Sequence, residues 1–185
     1  MKAIVPVVSG VEELETVTII DVLRRGGVEV IALSIDEDAG LDVEGSRGVG
    51  LVADEMWNEE AVEDADIIIL PGGMGGMEAF CEDTRVQNTI SRFASNKNKF
   101  VAAICASPVA LYEAGVLNGR RVTCYPGLED RMPEAKYSAT DKVLVDGNII
   151  TSQGPATAMM FAILILELLQ GHKVASAVAE GMLIC

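Results

Sequence analysis

Short runs of β-branched and aliphatic residues alternate with segments of helical periodicity along most of this chain. The predicted strands span residues 3–8, 28–35, 48–53, 66–70, 100–104, 121–125, 142–145 and 149–152. The predicted helices span residues 13–25, 84–95, 108–114, 156–170 and 173–179. Such alternation is typical of a doubly wound, mainly parallel sheet with helices on both faces. Ligands of these sheets bind at the carboxyl ends of the strands, so functional residues are expected in the loops that follow the strands.

The composition favours one folded domain over residues 1–185. Half of the residues are hydrophobic, which is enough for a core without disulfides or metal. Aromatic residues make up only 4%, and Val, Ile, Leu and Ala carry the apolar content, as in a buried parallel sheet. The apolar excess also favours a surface that is buried in an oligomer, and we expect a homodimer.

The charge balance excludes two classes of partner. The net charge of −14 at pH 7 repels nucleic acids and anionic membranes, so neither is predicted to bind. The apolar run at residues 158–166 is far shorter than the about 20 residues of a membrane-spanning helix. Residues 1–10 are too short for a signal peptide. We therefore expect a cytoplasmic protein with reduced thiols.

Cysteine and histidine are too scattered for a metal site. The four cysteines are Cys81, Cys105, Cys124 and Cys185, and the single histidine is His172. No two cysteines form a C-x-x-C pair, so the sequence predicts no zinc or other metal site. No cofactor is predicted either.

The sharpest motif is the segment from Ala103 to Ser107, where a strand meets a helix. It places Cys105 between small residues two positions before and two positions after, the pattern of a nucleophile elbow. Pro108 suits the first turn of the following helix. The start of a helix favours a thiolate, so Cys105 is the candidate nucleophile, with a lowered pKa. The alternative is a buried cysteine that only fills space at a strand end.

Two further loops are expected at the same edge of the sheet. The glycine-rich segment at residues 71–76 lacks the Lys-Ser/Thr of a phosphate-binding loop. It also does not fit the G-x-G-x-x-G motif with a following helix and a later acid, so nucleotide binding is only weakly indicated. It is either a plain turn or a site where a backbone N–H approaches Cys105 and forms an oxyanion hole with the N–H of Ala106. In the other loop, Glu12 and Glu13 are interpreted as solvated charges at a helix start. Glu15 is expected to point inward and, with a raised pKa, to donate a hydrogen bond to the sulfur.

Taken together, these motifs resemble the ThiJ/PfpI superfamily. The resemblance rests on four segments in the same order, at residues 12–17, 70–73, 102–106 and 151–155, and it runs over nearly the whole chain. Within the superfamily, the chain is similar to the branch of the Parkinson-disease protein deglycase and its bacterial relatives. The resemblance implies a flavodoxin-like fold, related to class I glutamine amidotransferases, and a homodimer.

The resemblance also implies roles for individual residues. Cys105 corresponds to the reactive, oxidisable cysteine, Glu15 to its protonated partner, and Gly73 and Ala106 to the backbone donors. The segment at residues 46–48 matches a region near the dimer interface, so Arg47 is expected to reach the neighbouring site. Activities known in the superfamily include glyoxalase, deglycase, chaperone and peptidase action, and older names refer to thiazole monophosphate synthesis.

The chain departs from the deglycase pattern at Tyr125, where that pattern has histidine. His172 lies between the last two predicted helices and is interpreted as a surface residue, so no Cys–His pair is expected within the chain. Because cysteine hydrolases use an imidazole as general base, the peptidase and amidotransferase hypotheses are weakened. Three hypotheses remain: an oxidation-sensitive cysteine protein of stress protection, a weak glyoxalase or deglycase that acts on small reactive carbonyls, and a chaperone or binding module in which Cys105 has no role.

Overall fold

A computed structural model of the protein describes residues 1–184, and Cys185 lies outside the described residues. The strands are β1 (Lys2–Val7), β2 (Glu29–Ser34), β3 (Asp42–Glu44), β4 (Gly50–Val52), β5 (Glu55–Met56), β6 (Ile67–Leu70), β7 (Phe100–Ile104), β8 (Arg121–Val122), β9 (Lys136–Tyr137), β10 (Val143–Asp146) and β11 (Ile149–Ser152). The α-helices are α1 (Glu13–Arg25), α2 (Glu59–Asp64), α3 (Met74–Glu82), α4 (Thr84–Ser95), α5 (Pro108–Glu113), α6 (Ala158–Gln170) and α7 (His172–Gly181).

The central sheet has seven strands in the order β10-β11-β7-β6-β1-β2-β5. All neighbouring pairs are parallel except β10 and β11. Two smaller sheets, β3-β4 and β8-β9, lie apart from it. This arrangement confirms the predicted flavodoxin-like, mainly parallel sheet.

Helices cover both faces of the sheet because alternate side chains of a buried strand point to opposite sides. On β6, Ile68 and Leu70 pack in a core formed with α2, α3, α4 and α5. The neighbouring Ile67 and Ile69 pack in a second core formed with α1, α6 and α7. A strand that is buried on both faces is therefore apolar at every position, as the sequence of β6 is.

The helix α3, which follows the glycine-rich segment, was not predicted from the sequence. Gly75 and Gly76 lie inside its first turn, where each glycine costs about 1 kcal/mol relative to alanine. Met77 and Phe80 are fully buried on its inner face. Burying two such side chains contributes roughly 3–6 kcal/mol, which outweighs the glycine penalty.

Two predicted strands are shorter than expected. Residues 121–125 form only the two-residue strand β8, because the backbone N–H groups that follow it bind outside a strand ladder. The Thr123 N–H donates to the Thr151 hydroxyl at 2.9 Å, and the Tyr125 N–H donates to the Cys105 carbonyl at 2.8 Å. Within residues 48–53, only β4 is extended, and it pairs with β3 in a small antiparallel hairpin.

The chain reverses its direction of winding at β1, which lies between β2 and β6. The loops after β1 and β6 diverge at such a point and leave a crevice between them. Hydrogen bonds join the loops across it: the Glu12 N–H donates to the Gly72 carbonyl at 2.8 Å, and the Ser107 hydroxyl donates to the Pro71 carbonyl at 2.5 Å. The three loops therefore meet at one edge of the sheet, as predicted.

The most apolar helix of the described chain is α6, which packs against α1 and α7. It begins at Ala158, after a 3-10 turn formed by Pro155–Thr157. Within residues 1–184, no helix is both long and apolar enough to cross a membrane.

Candidate active site

Cys105 occupies a strained turn between β7 and α5. Its φ of 63° lies in the left-handed region, which is uncommon for any residue with a side chain. Its N–H donates to the Ser152 carbonyl at 3.0 Å, and its carbonyl accepts from the Tyr125 N–H at 2.8 Å. The flanking Ala103 and Ser107 are fully buried. These contacts hold a strained backbone between a strand and a helix, which is the local geometry that the sequence pattern predicts.

The glycine-rich turn after β6 lies against the cysteine, which decides between its two interpretations. A Cβ atom at Gly72 would lie 2.5 Å from the Cys105 Cβ and 2.5 Å from Glu15 Oε2. Gly73 follows with a φ of 92°, and its N–H is directed at the Cys105 sulfur, as is the N–H of Ala106. Only glycine allows this close approach, so the segment positions a backbone donor and is more than a plain turn.

Glu15 lies in the first turn of α1 and is fully buried beside Cys105. Its Oε2 accepts from the Gly72 N–H at 2.8 Å, whereas its buried Oε1 has no hydrogen-bond partner among residues 1–184. Burial raises the pKa of this carboxyl to about 7, and the nearby Glu12 carboxylate adds to the rise. The inward orientation and the raised pKa are both as predicted, and Glu15 can hold or release a proton near neutral pH.

The pKa of the Cys105 thiol is opposite to expectation. Burial, with the negative charge of Glu15 as the second cause, raises this pKa to about 12. The N–H groups of Gly73 and Ala106 act in the other direction but do not outweigh burial. The lowered pKa predicted from the helix start is therefore wrong, because burial of the thiol outweighs the backbone N–H groups that favour its charged form.

The sulfur of Cys105 lies at the base of a cleft of about 590 Å³. The side chains that line the cleft include Glu12, Arg47, Met74, Tyr125, Leu128 and Pro155. Arg47 lines the cleft of its own chain, and its reach to a neighbouring site stays a prediction. Glu15 lies behind the cysteine and does not line the cleft. All the predicted site residues are therefore brought together here.

Tyr125 forms one wall of the cleft and is half exposed. Its ring packs over Gly154, where an added Cβ would lie 3.3 Å from the ring and 4.0 Å from the Cys105 sulfur. The sequence pattern gives Gly154 no role, although it lies in one of the four family segments. In the structure, the missing side chain at Gly154 keeps the space near the sulfur open. His172 lies far along the chain on the surface and contacts Glu167 at 3.1 Å.

The other described cysteines lie outside the cleft. Cys124 is buried, and its thiol donates to the Tyr125 carbonyl at 3.4 Å. Cys81 is partly buried against Met77. Burial raises the pKa of the Cys124 thiol to about 12 and that of Cys81 to about 11. Access from the cleft, and not acidity, distinguishes Cys105 from these two. In the described part of the chain, no cluster of three or more His, Cys, Asp or Glu could hold a metal ion.

Curated relatives match most or nearly all of this chain. Protein DJ-1 homolog B of Arabidopsis thaliana is 38% identical over 99% of the chain, which spans only 41% of that longer protein. The glutathione-independent glyoxalase DJR-1.2 of Caenorhabditis elegans is 32% identical over 88% of the chain and 84% of its own length.

Solved structures agree with the sequence comparison. The crystal structure of Drosophila melanogaster DJ-1beta superposes with a TM-score of 0.93 at 35% identity, covering 100% of this chain and 98% of the other. The structure of oxidized Toxoplasma gondii DJ-1 gives a TM-score of 0.90 at 34% identity, covering 98% and 97% of the two chains. A sequence model of the DJ-1/PfpI family matches residues 1–168. With the elbow, the glycine turn and the buried glutamate in place, the chain belongs to the DJ-1/PfpI family.

Proposed function

We propose that this chain is an oxidation-sensitive cysteine protein of stress protection, with a slow activity on small reactive carbonyls through Cys105 and Glu15. The observation that carries the proposal is the buried carboxyl of Glu15, whose pKa of about 7 lets it exchange a proton beside an accessible sulfur. Relatives named as a glyoxalase and as an oxidized DJ-1 support the two parts of the proposal.

Oxidation of Cys105 proceeds through the thiolate. Attack on hydrogen peroxide breaks the O–O bond and gives a sulfenic acid and hydroxide, and a second peroxide gives the sulfinate and water. A protonated Glu15 can donate a hydrogen bond to a sulfinate oxygen, while an ionised carboxylate would repel it. The N–H groups of Gly73 and Ala106 are placed to stabilise the same negative charge.

The same groups support glyoxalase chemistry. The thiolate adds to the aldehyde carbon of methylglyoxal, and the Gly73 and Ala106 N–H groups stabilise the oxyanion that forms. Glu15 then removes the proton from this carbon and returns it to the neighbouring one, which leaves a thioester that water hydrolyses to lactate. The raised thiol pKa and the absence of histidine from the cleft predict slow turnover.

Mass spectrometry after mild peroxide treatment tests the oxidation proposal. We expect sulfinic acid at Cys105, and further oxidation or a lower yield in Glu15→Gln, while Cys81 stays unmodified as an internal control. Identical products in the wild type and in Glu15→Gln would contradict the pairing. Lactate formation from methylglyoxal, measured in the wild type and in Cys105→Ser, tests the carbonyl activity.

The other hypotheses have distinct signatures. Protective function that survives Cys105→Ala would favour a chaperone or binding module. A peptidase or amidotransferase requires an imidazole beside the sulfur, and the cleft presents Tyr125 instead. We further propose that the protein acts in the cytoplasm as a homodimer, without binding nucleic acid, membranes, metal or a cofactor.

A further inference from the structure

The cleft around Cys105 contains an arginine that no acidic side chain neutralises. Arg47 is the only basic residue among the described residues that line the cleft. Its guanidinium is exposed and has no ion-pair partner within residues 1–184. Five other arginines do pair with Asp or Glu: Arg24, Arg25, Arg85, Arg120 and Arg121. An unpaired arginine in a chain with a net charge of −14 is available to a ligand.

The backbone of Arg47 is held in place by the acid nearest to it. Glu13 is buried and accepts the Arg47 N–H at 2.8 Å with Oε1 and the Ser46 hydroxyl at 3.1 Å with Oε2. These bonds occupy both carboxylate oxygens. Glu13 therefore fixes the loop at the cleft and leaves the Arg47 side chain free to bind another anion.

The two remaining acids do not offset this positive charge. Glu12 lines the cleft, but its Oε2 accepts the Glu15 N–H at 2.7 Å, where the positive end of α1 compensates its charge. Glu15 is buried behind the sulfur. The charge that the cleft presents to an incoming molecule is thus dominated by the guanidinium.

The size of the cleft points to a substrate larger than methylglyoxal. Its volume of about 590 Å³ is in the range of sites that hold drug-sized ligands, roughly 300–1,000 Å³. A three-carbon aldehyde bound to Cys105 would leave most of this space empty. Because Cys105 and Arg47 line the same cleft, a longer chain bound at the sulfur has room for a group that meets the guanidinium.

We propose that the cleft selects electrophiles that carry a carboxylate, and that its substrate class is the α-oxoaldehydes with a carboxylate at the far end of the chain. The substrate class rests on the proposed carbonyl activity. The aldehyde carbon is oxidised to a carboxylate while the adjacent ketone is reduced to a hydroxyl group. One water is consumed, one proton is released, and no external oxidant or reductant is needed. The guanidinium binds the terminal carboxylate, as arginine does wherever planar recognition is required.

Alkylation of Cys105 tests the charge selectivity without relying on turnover. Peptide mapping would compare the rates of the anionic iodoacetate and the neutral iodoacetamide in the wild type, Arg47→Met and Lys173→Met. We expect the iodoacetate-to-iodoacetamide ratio to fall about two- to fivefold in Arg47→Met, as for an exposed charge pair. Lys173→Met removes the same charge from α7, away from the cleft, and should leave the ratio unchanged. An equal ratio in the wild type and Arg47→Met would overturn the proposal.

Turnover separates the substrate class from the proposed function. The probes are methylglyoxal and 4,5-dioxopentanoate, whose chain ends in a carboxylate. We expect kcat/KM to favour 4,5-dioxopentanoate in the wild type, with the preference lost in Arg47→Met and kept in Lys173→Met. Equal use of both probes by the wild type would overturn the substrate class and leave the carbonyl activity standing. If neither probe is turned over but the alkylation ratio still falls, the carbonyl activity and the substrate class fail, and the charge selectivity of the cleft stands.

Discussion

Cys105 and Glu15 share one buried environment, and burial acts on both groups in the same direction. It raises the pKa of the carboxyl to about 7 and that of the thiol to about 12. Each charged form also disfavours the other, so the two groups titrate as a coupled pair. The resting site is therefore a thiol beside a carboxyl that is close to its own titration point. Removing the carboxyl charge lowers the cost of forming the thiolate.

Because its pKa is raised, Glu15 is expected to make the folded protein less stable as pH rises towards and above 7. The native carboxyl binds its proton up to about pH 7, whereas the unfolded carboxyl releases it near its ordinary value of about 4.5. The native state therefore holds more protons between these values, and stability falls as pH rises through this window. Between pH 5 and pH 8, we expect the free energy of unfolding of Glu15→Gln to rise by about 2 kcal/mol relative to that of the wild type.

Urea unfolding of the wild type and of Glu15→Gln at pH 5 and at pH 8 measures this change in relative stability. Glu180→Gln is the matched control, because it makes the same substitution at an exposed position on α7. A pH dependence of unfolding that is the same in Glu15→Gln and in the wild type would show that the buried carboxyl does not titrate.

Because Tyr125 stands where the deglycase pattern has histidine, we expect slow carbonyl turnover that the substitution Tyr125→His would increase. Tyrosine has an ordinary pKa of about 10 and is a poor general base at neutral pH. In Tyr125→His, an imidazole would replace the phenol ring in the wall of the cleft. We expect methylglyoxal consumption to rise about 10- to 100-fold, within the usual range of general acid–base help. Adding Cys105→Ala should abolish the gain; a gain that survives this second change would place the reaction outside the assigned site.

The turn between β6 and α3 packs against both Cys105 and Glu15 of α1. Gly72 lies between the Cys105 side chain and Glu15, and Gly73 caps the start of α3. A side chain at Gly72 would meet Cys105 and Glu15, and one at Gly73 would meet the backbone of Gly10 and Glu12. The geometry of the site depends on this turn as much as on the reactive side chains.

Gly72→Ala should therefore disturb the site through sterics alone. The added Cβ would lie 2.5 Å from both the Cys105 Cβ and Glu15 Oε2, so one of them must move. We expect a loss of about 1–3 kcal/mol in the free energy of unfolding, as for overpacked cores, and a changed rate of Cys105 alkylation. Gly50→Ala is the matched control, because no atom lies within 4 Å of its Cβ position. Equal stability of the two variants would contradict the close packing at Gly72.

Apolar side chains gather on one exposed face of the molecule. Leu14 and Val17 on α1 are 53% and 50% exposed, and Val52 on the neighbouring β4 is 73% exposed. Val17 and Val52 also line a shared surface cavity of about 250 Å³. Contiguous apolar surface of this kind marks an interaction site, and a two-fold dimer is the commonest way to bury it.

We therefore predict that the protein in solution has about twice the chain mass of 19.6 kDa. Val52→Glu should shift it towards the monomer, because dimerisation would bury an unpaired charge at that position. Val145→Glu, on the strand β10 at the opposite edge of the sheet, is the control and should leave the mass unchanged. Multi-angle light scattering at micromolar concentration distinguishes these outcomes. A wild-type monomer throughout the accessible concentration range would overturn the prediction.

The sequence alone determined the features that depend on local pattern. Alternating apolar runs such as β6 predicted the parallel sheet, because burial on both faces requires an apolar residue at every position. The small residues around Cys105 predicted the elbow, since its tight turn excludes larger side chains. Glu15 was singled out by the family resemblance, because three acids share the start of α1 and the local pattern does not distinguish them.

Only the tertiary structure decided the features that depend on packing between distant segments. The helix α3 forms in spite of its glycines because Met77 and Phe80 are buried on its inner face. The thiol pKa is raised because burial and the Glu15 charge outweigh the local helix start. Arg47 faces Cys105 of its own chain because Glu13 holds its backbone, across 34 residues of sequence separation. Such burial and long-range charge contacts exist only once the chain is folded, so no local pattern carries them.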